Sequence, residues 1–312
     1  MPSAPPEIWP LKVEHVFSAD GPIAKLKKDF FPRPEQTVMA REVENGLKNG
    51  GTQLIEAGTG VGKSLAYLIP TAIWAIQNNK HVIVSTHTKA LQEQLIQQEL
   101  PFTHQLLRSR GLDLRFTLLM GAENYLCLQR LQRLQRLHRL LDEKDNIFLD
   151  ASGRKNLQQL WDWSVKAETG QRTRLPCAIR DDLWSQVYRD PDLCLGNRGP
   201  LAERCLWRKD FERAKKAHIL VVNHALLLSG PAKWLPYDAI VIDEAHNLED
   251  VAAKNLGITL STQRIERLLN DLYNTKTLRG LLVILRTLDP TIMGTLRGLI
   301  AKAHQANKSF FA

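Results

Sequence analysis

Lys63 and Ser64 close a loop with three glycines in five residues, Gly58-Thr59-Gly60-Val61-Gly62. Such a loop wraps phosphate oxygens in backbone N–H groups, sets a lysine against the β- and γ-phosphates and offers a hydroxyl to Mg2+. Its first position is Ala57, where the general pattern has glycine; a methyl group fits there if the residue ends a strand with φ below zero. A second reactive group stands far along the chain, Asp243-Glu244-Ala245-His246, directly after an apolar run. An aspartate there is suited to hold Mg2+ through its water shell, and a glutamate to orient and deprotonate an attacking water. His246 then links the nucleotide site to a nucleic-acid site. The two groups together specify binding and hydrolysis of ATP.

These residues can meet only at the C-terminal ends of parallel strands. Five short apolar runs supply the strands: Gln53–Glu56, His81–Ser85, Phe116–Met120, Ile219–Val222 and Ala239–Ile242. Helical sequence, Ser64–Gln77 and Lys89–Leu107, separates the first three, and Arg33-Pro34-Glu35-Gln36 opens a helix ahead of them. Alternating strand and helix with a phosphate loop after the first strand predicts a RecA-like α/β fold with a parallel sheet. Almost one hundred residues separate the third and fourth strands, where a crossover needs about thirty. A domain is inserted there.

The insertion holds all four cysteines, Cys127, Cys177, Cys194 and Cys205, and the segment Leu128–Leu141, LQRLQRLQRLHRLL. Leucine at every third position winds around a helix, and the arginines between wind with it, as a solvated basic face or one turned to phosphate. Trp161, Trp163, Trp184 and Trp207 are expected mostly as core. After the last strand the pattern is helical, with stripes at Leu268, Leu269, Leu272, Tyr273 and at Leu281, Leu282, Ile284, Leu285. The expected organisation is a loosely held arm over 1–16, the first part of the ATPase domain over 17–120 and the insertion over 121–215. The second part of the ATPase domain follows over 216–250, then a helical segment over 251–312. Net charge is +9, which suits a polyanionic partner. No apolar run reaches membrane length and no secretory leader is visible, so thiols or metal ligands are expected before disulfides and the cytoplasm as the location.

The motifs resemble those of DEAH-box superfamily 2 helicases, in the iron–sulfur branch that includes XPD and bacterial DinG. The resemblance rests on Arg33–Gln36, Glu56–Gly60, Ser85–Thr88 with Leu91 and Gln94, Gly121–Cys127 and Val221–Leu227, beside the two reactive groups. In that family alanine at the first loop position is usual, matching Ala57. The resemblance implies an ATP-driven motor moving 5′ to 3′ on single-stranded DNA and opening forked duplex, acting in DNA repair at the bacterial nucleoid, with a monomer favoured. It places Gln36 near the adenine, and Ser85, Thr86 and Thr88 on the DNA backbone. It further implies a [4Fe–4S] cluster on four cysteines. Cys127, Cys194 and Cys205 match three of them, Gly199 stands at the fourth, and Cys177 matches none. Three readings stay open: Cys177 substitutes, three thiolates hold an incomplete cluster, or no cluster forms. The family also needs a second RecA-like domain, which is not recognisable after His246, and 251–312 resembles the start of a helical arch. The chain reads as the N-terminal part of a longer helicase, poorly active alone. The alternatives are an accessory DNA motor and a non-catalytic nucleic-acid-binding module.

Overall fold

The computed structural model describes residues 12–58, 60–140, 151–229, 234–256, 261–275, 280–284 and 289–312. Residues 1–11 of the expected arm, Thr59, Leu141 and Leu285 lie outside the described residues. The chain divides into two compact units, 1–255 and 256–312.

Four strands form the sheet of the first unit: β1 (Val82–Thr86), β2 (Phe116–Leu118), β3 (Ile219–Asn223) and β4 (Ala239–Ile242). Their order is β2-β3-β1-β4 and every pairing is parallel. β1 is buried along its whole length and β3 nearly so, as expected of β-branched runs covered on both faces. Val84 lies between Val221 and Val241 in the register. The ladder continues past β4, where Asp243 N–H donates to the Ser85 carbonyl at 2.8 Å. This pairing carries the acidic group to the C-terminal edge of the sheet.

The expected first strand, Gln53–Glu56, has no regular secondary structure and pairs with nothing described, and Leu54 is 94 % exposed. β4 therefore ends the sheet, and its outer edge is unpaired among the described residues. Two apolar side chains flanked by Gln53 and Glu56 bury little, while ordering the backbone costs about 1–2 kcal/mol per residue. Gly50 and Gly51 precede the segment at φ 73° and 89°, with no atom near either Cβ position. Nothing local holds it against β4.

Helices Pro34–Asn49 and Lys63–Gln77 pack against each other, and the second is buried along most of its length. The helix after β1 runs Lys89–Gln94, widens to a π-helical turn at Leu95–Glu99 and resumes over Leu100–Arg108. Pro101 lacks an N–H for the ladder, a common cause of such a bulge. At the other end of the domain the expected arm is shorter than its prolines suggest. Val13–Val16 is a helical turn, and Val13 and Val16 are buried in the main core because both are apolar on one face of that turn.

The insertion has a core of its own, built on Leu126, Leu131, Leu160, Leu183, Val187 and Leu206. In the helix Leu128–Leu140 the leucines at 128, 131 and 134 are all buried. Arg130 on that helix is engaged within the insertion: it donates to the Tyr188 and Ser185 carbonyls at 2.8 and 2.9 Å and lies over the Tyr188 ring. Trp184 is buried with its indole N–H on the Glu123 carbonyl at 2.9 Å.

The second unit is helical, with Thr262–Leu272 and Pro290–Phe310 packed around Leu269, Tyr273, Leu282 and Ile300. Leu268 and Leu281, expected in the buried stripes, are 60 % and 38 % exposed. Each neighbours a buried leucine, and consecutive helical residues point about 100° apart, so both cannot face inward.

Candidate nucleotide site and the cysteine cavity

The phosphate loop leads straight into the helix Lys63–Gln77, whose N-terminal N–H groups and dipole favour an anion. Gly60 and Gly62 adopt φ 79° and 85°, a region costly to residues with a Cβ. Ala57, Gly58, Gly60 and Val61 keep surface open to solvent. Two side chains from the Pro34–Asn49 region brace the loop: Arg33 donates to the Gly60 carbonyl, and buried Gln36 donates to the Gly62 carbonyl at 2.9 Å. Arg33 was not singled out from sequence, although its place beside Pro34-Glu35-Gln36 was the available signal.

Across 181 residues of chain, Lys63 Nζ lies 3.2 Å from Glu244 Oε1. The phenol of Tyr67, one helical turn after Ser64, donates to Asp243 Oδ2 at 3.1 Å. Burial raises Asp243 above the usual carboxylate range, and the Tyr67 bond partly opposes this. Tyr67 itself is pushed well up, first by burial and then by Asp243, while a bond involving Ser64 pulls the other way. Tyr67 carried no sequence signal beyond helical spacing.

Oxygen donors of this kind fit Mg2+, which binds one or two protein oxygens and completes its shell with phosphate and water. Glu244 is held at φ 55°, one of two non-glycine residues described with positive φ, and such conformations cluster at working sites. His246 Nδ1 lies 3.6 Å from Glu244 Oε2 and is largely exposed, so it borders the acid from the solvent side.

The residues expected on DNA divide. Ser85 and Thr86 are fully buried, and Ser85 Oγ lies 2.8 Å from His224 Nδ1. Both hydroxyls are enclosed because β1 is interior to the sheet. Thr88 is exposed and caps the following helix, accepting from Leu91 N–H at 3.2 Å. His224 is a buried imidazole whose basicity is lowered by burial first and then by His87, at 6.0 Å between ring centroids.

In the insertion, Cys127, Cys194 and Cys205 line one cavity of about 490 Å3, together with Gly199, Arg130 and Arg189. Cys177 is elsewhere: it packs against the insertion core and its thiol donates to Gln159 Oε1 at 3.5 Å. Among the described residues no three His, Cys, Asp or Glu side chains are grouped to hold a metal ion. A cubane takes four thiolates, so the residues present do not fit a four-thiolate cluster.

A phosphate loop is thus braced by the preceding helix, and its lysine is paired to the glutamate of Asp-Glu-Ala-His, the arrangement a nucleotide-hydrolysing site requires. Residues 34–159 match the family model for the DEAD/DEAH box helicase. The chain is 35 % identical over 271 residues to the ATP-dependent DNA helicase YoaA of Escherichia coli, covering 82 % of this chain and 39 % of that protein. It is 35 % identical over 257 residues to the ATP-dependent helicase DinG of Mycobacterium tuberculosis, covering 76 % of this chain and 39 % of the relative. A solved XPD helicase aligns over 77 % of this chain and 37 % of its own, at 17 % identity and a TM-score of 0.41. The chain is similar in sequence to these DinG and YoaA helicases and spans about two fifths of their length.

Proposed function

We propose that this chain is the ATP-binding portion of a DNA helicase that couples ATP hydrolysis to 5′-to-3′ movement on single-stranded DNA and to opening of forked duplex. The observation that supports it most is the meeting of Lys63 with Glu244, and of Tyr67 with Asp243. In the proposed mechanism the loop N–H groups of residues 57–62 cradle the phosphates, Gln36 borders the adenine and Lys63 draws off charge from the β- and γ-phosphates. Ser64 and Asp243 would hold Mg2+, which supplies charge neutralisation at the phosphates when bound. Glu244 must first part from Lys63; it then orients water and accepts its proton. His246, beside Glu244 on the solvent side, passes the state of the site toward DNA, with Thr88 among the DNA contacts.

An arginine from a second RecA-like domain would complete the site, a contribution of about 10³–10⁵ in related hydrolases. DNA repair in the bacterial cytoplasm, at the nucleoid, and a monomeric protein remain part of this reading. No described helix is long and apolar enough to cross a membrane. Gly199 favours one further reading, an accessory motor in which the insertion has lost its cluster and translocation remains.

Isothermal titration of the chain with Mg·ATP, beside Lys63→Ala, tests the proposal. Binding that disappears in the variant, with slow hydrolysis that single-stranded DNA barely stimulates, is expected. Absence of ATP binding would overturn the nucleotide role, and brisk DNA-stimulated turnover by the 312 residues alone would overturn the need for a second domain.

A further inference from the structure

The cysteine cavity poses a question that the nucleotide site does not answer. Three thiols reach it from separate segments: Cys127 just before the arginine-rich helix, Cys194 in a turn, and Cys205 capping the helix Leu206–Lys216. Arg130 and Arg189 line the same space, and Arg189 Nη2 approaches Cys194 Sγ at 3.7 Å.

Gly199 brings no side chain to the cavity it lines. Gly199 has φ −73° and ψ 141°, a conformation open to any L-residue, so the backbone does not demand glycine. A Cβ built there meets first the Gln129 Oε1 atom at 3.1 Å, the far end of a side chain that can move by a few tenths of an ångström. Cys177 cannot serve instead without leaving the insertion core and its Gln159 bond. The domain also has what it needs to fold without metal. Leu131, Leu160 and Val187 are at most 1 % exposed, and Arg130 and Trp184 bond across to backbone carbonyls.

We infer that this cavity, lined by three cysteines, does not retain a cubane cluster, that the inserted domain folds independently of metal, and that a fourth cysteine at Gly199 is what a stable cluster would need. Three protein thiolates leave one iron of a cubane without a protein ligand. Cys194 is exposed, so solvent reaches that side of the site.

The test compares the parent chain with Gly199→Cys, each incubated without oxygen with equal amounts of ferrous and ferric iron and with sulfide, then gel-filtered. Iron per chain, visible absorbance and thermal melting with and without a chelator are read. The parent is expected to keep less than one iron per chain and to melt at the same temperature with chelator. G199C is expected to keep about four irons per chain, as a cubane requires, and to lose stability on chelation. Adding Cys177→Ser to G199C should change neither result. About four irons retained by the parent, or a chelator-induced drop in its melting temperature, would overturn the inference even if G199C failed to fold. Folded G199C with no more iron than the parent would overturn the role given to Gly199. Iron content is measured without ATP, so failure here leaves the helicase reading standing.

Discussion

Lys63 cannot neutralise a triphosphate and hold Glu244 at the same time, so their ion pair opposes nucleotide binding. Glu244→Gln weakens the pair while keeping shape. Two unit charges 3.2 Å apart attract by about 5 kcal/mol at an effective dielectric near 20. Both side chains keep close to a third of their surface in solvent, 30 % and 32 %, so desolvation and screening remove most of that. The net lies between an exposed pair, about 0–1 kcal/mol, and a charge-assisted hydrogen bond, about 1.5–3 kcal/mol. A release of about 1–1.4 kcal/mol corresponds to about a 5- to 10-fold gain in affinity. Titration of a fluorescent ATP analogue with Mg2+ should therefore show E244Q binding more tightly than the parent, with hydrolysis lost. The gain should shrink as salt rises, and vanish in a Lys63→Met background, where a double-mutant cycle isolates the pair. Equal or weaker binding by E244Q with Lys63 intact would refute the competition.

Two further outcomes follow from the same site. Mg2+ needs Asp243 ionised, and burial raises this carboxyl, so affinity for Mg·ATP should fall with decreasing pH earlier than an ordinary aspartate dictates. Tyr67→Phe removes the bond that opposes the shift, so its midpoint should move to still higher pH; an unmoved midpoint would remove Tyr67 from the account. Gly62→Ala places a methyl 2.3 Å from Gln36 Nε2 at φ 85°. Left-handed strain of about 1–2 kcal/mol and a lost hydrogen bond of about 0.5–1.5 kcal/mol should lower the melting temperature by several degrees and abolish ATP binding. Parent-like values in both measurements would refute that reading of the loop.

The parts legible in sequence are those whose chemistry is local. The glycine spacing before Lys63 and the acids after an apolar run need no knowledge of the rest of the chain. β1, β3 and β4 were legible because continuous β-branched runs have few other uses. Gln53–Glu56 misled because two apolar residues satisfy a strand pattern, while pairing depends on an edge almost 190 residues away. The burial of Ser85 and Thr86 was not legible either: β1 is covered on both faces, and the partner of the Ser85 hydroxyl is His224, 139 residues on. Tyr67 stayed hidden because a tyrosine in an apolar helix looks like packing until Asp243 is seen opposite. Gly199 was legible only against a family pattern, and its backbone freedom and cavity position required the fold.

Asp243–His246 continue from a border strand, and that placement governs how the protein behaves as a colloid. Among the described residues nothing pairs with the outer rim of β4, and Ile240, Trp234 and Tyr237 are exposed at 39 %, 76 % and 53 %. Such a rim templates pairing with any extended chain that meets it, another copy included. The parallel register that brings the acids to the phosphate loop thus makes the same strand the seed from which clumping would grow in concentrated solution.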